Sequence, residues 1–534
     1  MGFKRGLATA LAVVLCLTML VGCGEKAAAP FTLTVACAAP KTADPALVTE
    51  TDNETILLHL YENLMKKTND TTGVATAAPG IAKSYAEEKL FDGTVTYTFR
   101  LRDNVKWSDG TAVTAHDFVY AWRRLVSPAT GSPNHALLSM VQGYDAVRAG
   151  GELSELQVTA KNDKTLVVKL AYPCPYFIED ICTAAATLPL RAEVEADWDW
   201  AQLVTNGAYR VGSWREESDL LLVRCNTGRN LTGPDGIRFY FADTTEEAYA
   251  LYEAEQVDFV GALPEAQLTE LSRRDGWQAT PVLATYTLLF HNQNAPTDNP
   301  LVRQALSLAI DRSVLPPLVG VTAQAARGLV PPGIAGGEDG AFRDESDLLT
   351  RTPEAYQEGL AKARELLTVA GFGEDDPPEL PYLYADSPSA RAVAQALCQQ
   401  WWETLHVRVT PHGVTQTELD AALAAGDFTL AATTLSTPYA DPMGFLEPWA
   451  GGDSRNVIGY RNSAFDTLLV VIGSASDASA RLACLHDAET LLQDDAALAP
   501  LYTVGTAWAL RETLTGVARD ATGHFYFGLV SKKG

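Results

Sequence analysis

The sequence predicts an α/β protein of two or three interleaved lobes, and three observations lead to that fold class. Apolar residues repeat with period two in some segments and with helical period in others, and the two kinds alternate to the end of the chain. The 534 residues, 47% hydrophobic and 20% charged, have an ordinary globular composition at a length that one core rarely organises. No internal repeat, low-complexity segment or long linker separates the segments, so the lobes are expected to interleave along the chain.

Phe31, Leu33, Val35 and Cys37 alternate with small or hydroxyl residues, the pattern of a half-buried strand that begins the first sheet. After the turn-like Ala43-Asp44-Pro45, Thr51 and Glu54 have capping-box spacing, and Ile56, Leu57, Leu60, Tyr61 and Leu64 fall on one helical face. Val95, Tyr97, Phe99 and Leu101 alternate again, and Trp107-Ser108-Asp109-Gly110 supplies a turn. Thr114 and Asp117 then cap a helix whose face is Phe118, Val119, Trp122, Leu125 and Val126, with Trp107 and Trp122 expected in the core. Thr165 to Leu170 and Thr285 to His291 read as strands, the second followed by Asn299-Pro300 opening a helix through Val302, Ala305, Leu306, Ala309 and Ile310. Gly328 to Gly340, rich in Gly and Pro, is expected to be an exposed loop.

Charge narrows the partners. Lys and Arg number 41 against 66 Asp and Glu, and the net −25 repels nucleic acid and anionic headgroups. At the N-terminus, Lys4 and Arg5 precede a mostly apolar run from Leu7 to Gly22 that ends in Leu20-Val21-Gly22-Cys23. The run is shorter than the ~20 residues a membrane-spanning helix needs, and small residues before a cysteine suit cleavage there. It resembles a bacterial lipoprotein signal, which implies loss of residues 1–22, lipidation of Cys23 and a tether over residues 23–30. One acyl chain holds only marginally, so the multiple chains implied by that signal make the anchor stable. No later stretch is apolar enough to span a bilayer, so the body is expected on the extracytoplasmic face, anchored to the membrane by lipid.

Catalytic patterns are missing. There is no GxSxG elbow, HExxH pair, GxxxxGK[ST] loop or GxGxxG fingerprint, and the eight histidines, His291 and His412 among them, stand singly. No CxxC pair and no Cys/His cluster has zinc spacing, so no catalytic residue, metal or cofactor is predicted. Cys174 and Cys182 are near enough in sequence for a disulfide, with buried free thiols the expected state because a body this large does not need staples.

The residues from Phe99-Arg100-Leu101-Arg102-Asp103-Asn104-Val105-Lys106-Trp107-Ser108-Asp109-Gly110-Thr111 through Val113-Thr114-Ala115-His116-Asp117-Phe118 to Arg124 make the most specific block in the chain. Together with Tyr61-Glu62-Asn63-Leu64, Asn206-Gly207-Ala208-Tyr209, Phe290-His291-Asn292, Ala309-Ile310-Asp311-Arg312, Ala440-Asp441-Pro442 and Pro500-Leu501-Tyr502, it resembles the bacterial family 5 solute-binding proteins. The resemblance implies a type II periplasmic-binding-protein-like fold with three interleaved lobes and a hinged ligand cleft. Mapped here, it gives a base lobe over 31–61, 186–283 and 502–534, an inserted lobe over 62–185 and an opposing lobe over 284–501. It further implies a monomer that captures an oligopeptide and delivers it to the permease and ATPase subunits of an ABC importer. A nickel chelate, haem or sugar as ligand, and more remotely a secreted lipoprotein hydrolase, are the alternatives.

In the peptide binders an extended peptide lies as a strand between lobes. The segments implied to line it here are Val48 to Asp52, Asn206 to Tyr209, Thr285 to Leu288 and Thr433 to Tyr439, with Tyr502 near the hinge. The candidate ligand residues are Glu50, Thr51, Asn206, Gly207, Thr285, Tyr286, Leu435, Ser436, Thr437, Tyr439 and Tyr502. One departure stands out. Many members have an aspartate three residues before the Asp/Glu-Pro pair, where it receives the peptide amine, and this chain has Pro438 there. Little discrimination between a free and a blocked N-terminus is then expected, unless Glu50, Asp52, Asp441 or another carboxylate substitutes.

Overall fold

A computed structural model describes residues 31–533 apart from 70–74, 193–197, 226–232, 265–266, 274–276, 335–340, 345, 374–376 and 476. The expected signal, Cys23 and the tether lie outside the described residues.

The alternation of Leu33, Val35 and Cys37 forms the strand Thr32–Cys37, flanked in parallel by Gly236–Phe241 and Phe259–Val260. Asp219–Arg224 and Tyr209–Arg215 extend this half of the sheet antiparallel. On its other side Phe259–Val260 pairs with Leu498–Leu510, a long strand that also pairs with Trp277–Phe290. These two long strands carry the sheet into a second half, where Leu430–Ser436 joins antiparallel and Glu379–Ala385 and Arg408–Val414 follow in parallel. With the two-residue strand Gln324–Ala325, which also pairs with Leu498–Leu510, the result is one eleven-stranded sheet among the described residues. The ladder of the crossing strands is interrupted between Pro281 and Thr285. A proline offers no N–H and a bulge bends its strand, so the pairing that joins the two halves is locally weakened there.

A separate four-stranded sheet, in the order Ala82–Lys89, Val95–Leu101, Thr165–Leu170 and Val158–Asn162, forms within the first third of the chain. The helix Ala115–Val126 packs on it, burying Phe118, Trp122, Leu125 and Val126, while Val119 is half-buried. Its apolar core is continuous with that of the first sheet half: Leu33 and Val35 share a cluster with Phe99, Trp107 and Trp122. The second half has a core on each face, since Leu288 and Tyr382 join one cluster and Leu289 and Ala431 the other.

Three expectations are corrected. Thr51 does not cap the first helix: the helix spans Thr51–Leu60, Glu50 holds the N-cap position without a side-chain cap bond, and Tyr61 and Leu64 lie beyond its end. The strand expected over Thr285 to His291 begins earlier and spans Trp277–Phe290. The described part of the Gly328 to Gly340 segment is mostly buried, with Leu329, Val330 and Ile334 in the core of the second half. Its backbone is tied inward, because the buried Arg343 guanidinium donates to the carbonyl of Val330 and pairs with buried Glu489. By contrast Asn299 caps the helix Pro300–Leu308, and Asp117 accepts the Thr114 N–H, as their spacing predicts. Cys174 and Cys182 are free and buried.

Candidate functional site

Three separate parts of the chain wall a cavity of about 420 Å³, a size usual for small-ligand sites. The start of the first helix and the C-terminal segment contribute Thr49, Thr51, Glu54, Asp520, His524 and Tyr526. The segment carrying the four-stranded sheet contributes Lys67, Asn134, Asp180 and Thr183, and Leu283, Ala284, Ser436, Thr437 and Pro438 close the third side. Two contacts join the last two walls directly. The Ala440 N–H donates to Asp180 Oδ2 at 2.8 Å, and the ring of Tyr176 stacks on that of Tyr439 with centroids 4.2 Å apart.

Charge in the cavity is uneven. Among the described lining residues the carboxylates are Glu54, Asp180 and Asp520, and the cationic side chains are Lys67 and His524. His524 sits between two carboxylates, with Nδ1 3.1 Å from Asp520 Oδ2 and Nε2 2.7 Å from Glu54 Oε2. Burial disfavours its charge, but Asp520 and then Glu54 outweigh that and push its pKa up to about 10. Asp520 is buried too, yet His524 and the hydroxyls of Thr522 and Tyr526 hold its carboxyl well below the usual range. Asp180 shifts the other way: burial raises its pKa, and Lys67, 3.3 Å away, and the Ala440 N–H only partly offset the rise. Among the described residues no group of three His, Cys, Asp or Glu side chains is arranged to hold a metal ion.

The residues singled out in the sequence fall in different places. Thr51, Ser436 and Thr437 line the cavity, whereas Tyr439 is not part of its lining and stacks on Tyr176. Tyr286 and Tyr502 face each other across the crossing strands with rings 4.9 Å apart and line a second cavity of about 630 Å³ together with Thr433 and Thr434. Thr285 pairs with Leu435 in the ladder and spends its hydroxyl on the Leu329 carbonyl. Asn206 clamps both backbone groups of Glu62, and a Cβ on Gly207 would come within 2.6 Å of the Leu60 backbone, so both sit where the chain crosses itself. Glu50 pairs with Lys41 at 2.7 Å. Sequence reasoning missed Glu54, Lys67, Asp180, Asp520 and His524, because no local spacing relates positions so far apart.

Two sheet halves joined by crossing strands, with a cavity between them, define a type II periplasmic binding protein. Residues 76–456 match the model for bacterial extracellular solute-binding proteins, family 5 Middle, and the chain belongs to that family. Membership makes it a binding protein and not an enzyme. The chain is similar to the periplasmic oligopeptide-binding protein OppA of Escherichia coli, 30% identical over 478 residues that cover 86% of this chain and 85% of the relative. It is also similar to the dipeptide-binding protein DppE of Bacillus subtilis, 26% identical over 458 residues, 84% of this chain and 82% of the relative. Among solved structures, the murein tripeptide binding protein MppA of Escherichia coli superposes with a TM-score of 0.77 at 27% identity, covering 95% of this chain and 99% of that one. Haemophilus influenzae OppA in complex with the peptide RPPGFSPFR gives 0.75 at 26% identity, covering 94% and 99%.

Proposed function

We propose that this protein is the lipid-anchored substrate-binding subunit of a peptide-class ABC importer. It captures a peptide in the cavity walled by Thr51, Asp180 and Ser436 and delivers it to a membrane permease and its ATPases. On this reading the base lobe comprises 31–61, 186–283 and 502–534, the inserted lobe 62–185 and the opposing lobe 284–501. The observation that carries the peptide assignment is the end of a ladder at the cavity wall. Trp277–Phe290 and Leu430–Ser436 pair as far as Ala284 and Ser436, and the flanking Leu283, Thr437 and Pro438 line the cavity. An extended chain placed there continues the sheet through main-chain bonds that do not depend on its side chains. The peptide binders among the relatives favour the same ligand.

On this reading Cys23, which closes the apolar N-terminal run, carries the lipid anchor. Among the described residues no helix is long and apolar enough to cross a membrane. One preparation tests both points. The full chain carrying Cys23→Ala is expected to leave the membrane fraction folded, and mass spectrometry of what co-purifies is expected to find short peptides. Retention in the salt-washed membrane pellet would remove the lipoprotein assignment. A haem, sugar or nickel chelate in place of peptide would remove the peptide assignment.

A further inference from the structure

We propose that Asp180 receives the α-ammonium of the bound peptide, so that recognition of the amine and closure of the cleft act through one carboxylate of the inserted lobe. The inference rests on the peptide reading of this cleft and narrows it to ligands with a free amine.

The carboxylates that the sequence offers as substitutes for the missing aspartate, Glu50, Asp52 and Asp441, lie outside the cavity lining. Asp441 is held by both guanidinium nitrogens of Arg481, at 2.8 and 3.0 Å. Asp52 accepts the Ala38 N–H, Glu50 pairs with Lys41, and none of the three lines the cavity. Of the carboxylates that do, Glu54 and Asp520 share His524 between them.

Asp180 differs in position and in partners. It bonds the backbone of Ala440, two residues beyond Pro438, so it reaches from the inserted lobe toward the place where the resemblance expects an aspartate. Its partners are that one N–H and the Lys67 ammonium, on a group that accepts at about four lone-pair sites. Burial still raises its pKa, so the resident partners do not fully compensate the charge. An arriving ammonium supplies the missing compensation. Because Ala440 belongs to the opposing wall, the amine settles at the seam between lobes and stabilises the closed arrangement as it binds.

The test uses the Cys23→Ala full chain, stripped of resident ligand and offered a random tetrapeptide mixture, half with free amines and half N-acetylated. Mass spectrometry of the retained fraction is expected to show free amines enriched about tenfold or more. Asp180→Asn is expected to abolish the enrichment by losing free-amine peptides preferentially, and Asp180→Glu to restore part of it. Lys67→Met, which removes the resident competitor, is expected to strengthen the enrichment, and this arm holds even if Asp180→Asn does not fold. Equal retention of both forms by the parent protein overturns the inference and leaves the peptide reading standing. Retention of neither overturns both. Enrichment that survives Asp180→Asn, or a loss that falls equally on both forms, assigns Asp180 to lobe contact alone and overturns its role in amine recognition.

Discussion

His524 lies 470 positions from Glu54 along the chain and touches it at 2.7 Å. With its pKa pushed up to about 10, the imidazole stays charged in the folded protein at neutral pH, whereas in the unfolded chain it releases its proton near pH ~6.5. The raised value fixes the sign: the stabilisation is complete below about pH 6.5 and is lost as the pH rises through about 10. Asp520, whose pKa is held down, contributes in the opposite sense, with stability lost as the pH falls through its folded value. His524→Asn is therefore expected to lower stability at pH 6 by roughly 3 kcal/mol, the scale for breaking a buried charge pair. Denaturant unfolding at pH 6, 8 and 10 is the measurement. The variant is expected to flatten the decline at the alkaline end, and an unchanged slope would mean that His524 is not the group responsible. None of this is legible in the sequence, where His524 is a lone histidine beside a turn.

At the scale of elements, legibility followed range. Thr114 with Asp117 and Thr51 with Glu54 have the same spacing, yet only the first pair forms a cap. Glu54 turns instead to His524, a partner that local pattern cannot reveal. Thr114→Ala is accordingly expected to cost about 1 kcal/mol of stability, the usual worth of an N-cap. Thr51→Ala, which removes no cap, is expected to cost no more than about 0.5 kcal/mol, on the scale of an ordinary surface change. Equal losses in thermal or denaturant unfolding would contradict the distinction. Strand Thr165–Leu170 and the face of helix Ala115–Val126 were readable because periodicity and burial agree there. The Asn206-Gly207 pair shows the limit of a motif: its residues recur with the family, but the structure uses them to hold the crossing at Leu60 and Glu62. A family resemblance does not by itself separate the residues that build a cleft from those that face into it.

Across the whole molecule, the walls of the cavity are joined by contacts that no single segment contains. The α/β class was predictable from alternation alone, while the three-lobe arrangement and hinge followed from the family block around Trp107. The meeting of Tyr176 with Tyr439, planes 4° apart, was not predictable, since the two rings come from segments far apart in the chain. An aromatic pair of this kind contributes ~0.5–1.5 kcal/mol beyond its buried area. If that energy is present only when the cleft is closed, removing it lowers the closed population and weakens apparent affinity without changing any ligand contact. Tyr176→Ala is thus expected to weaken binding of the co-purifying peptide about 2- to 10-fold, while small-angle scattering at saturating peptide still reports the compact form. Tyr439→Ala is expected to do the same, and the double variant to lose little more than either single one, because both remove one shared interaction. Fully additive losses would show that the two rings act separately, each through its own neighbours, and that the stack does not couple the inserted lobe to closure.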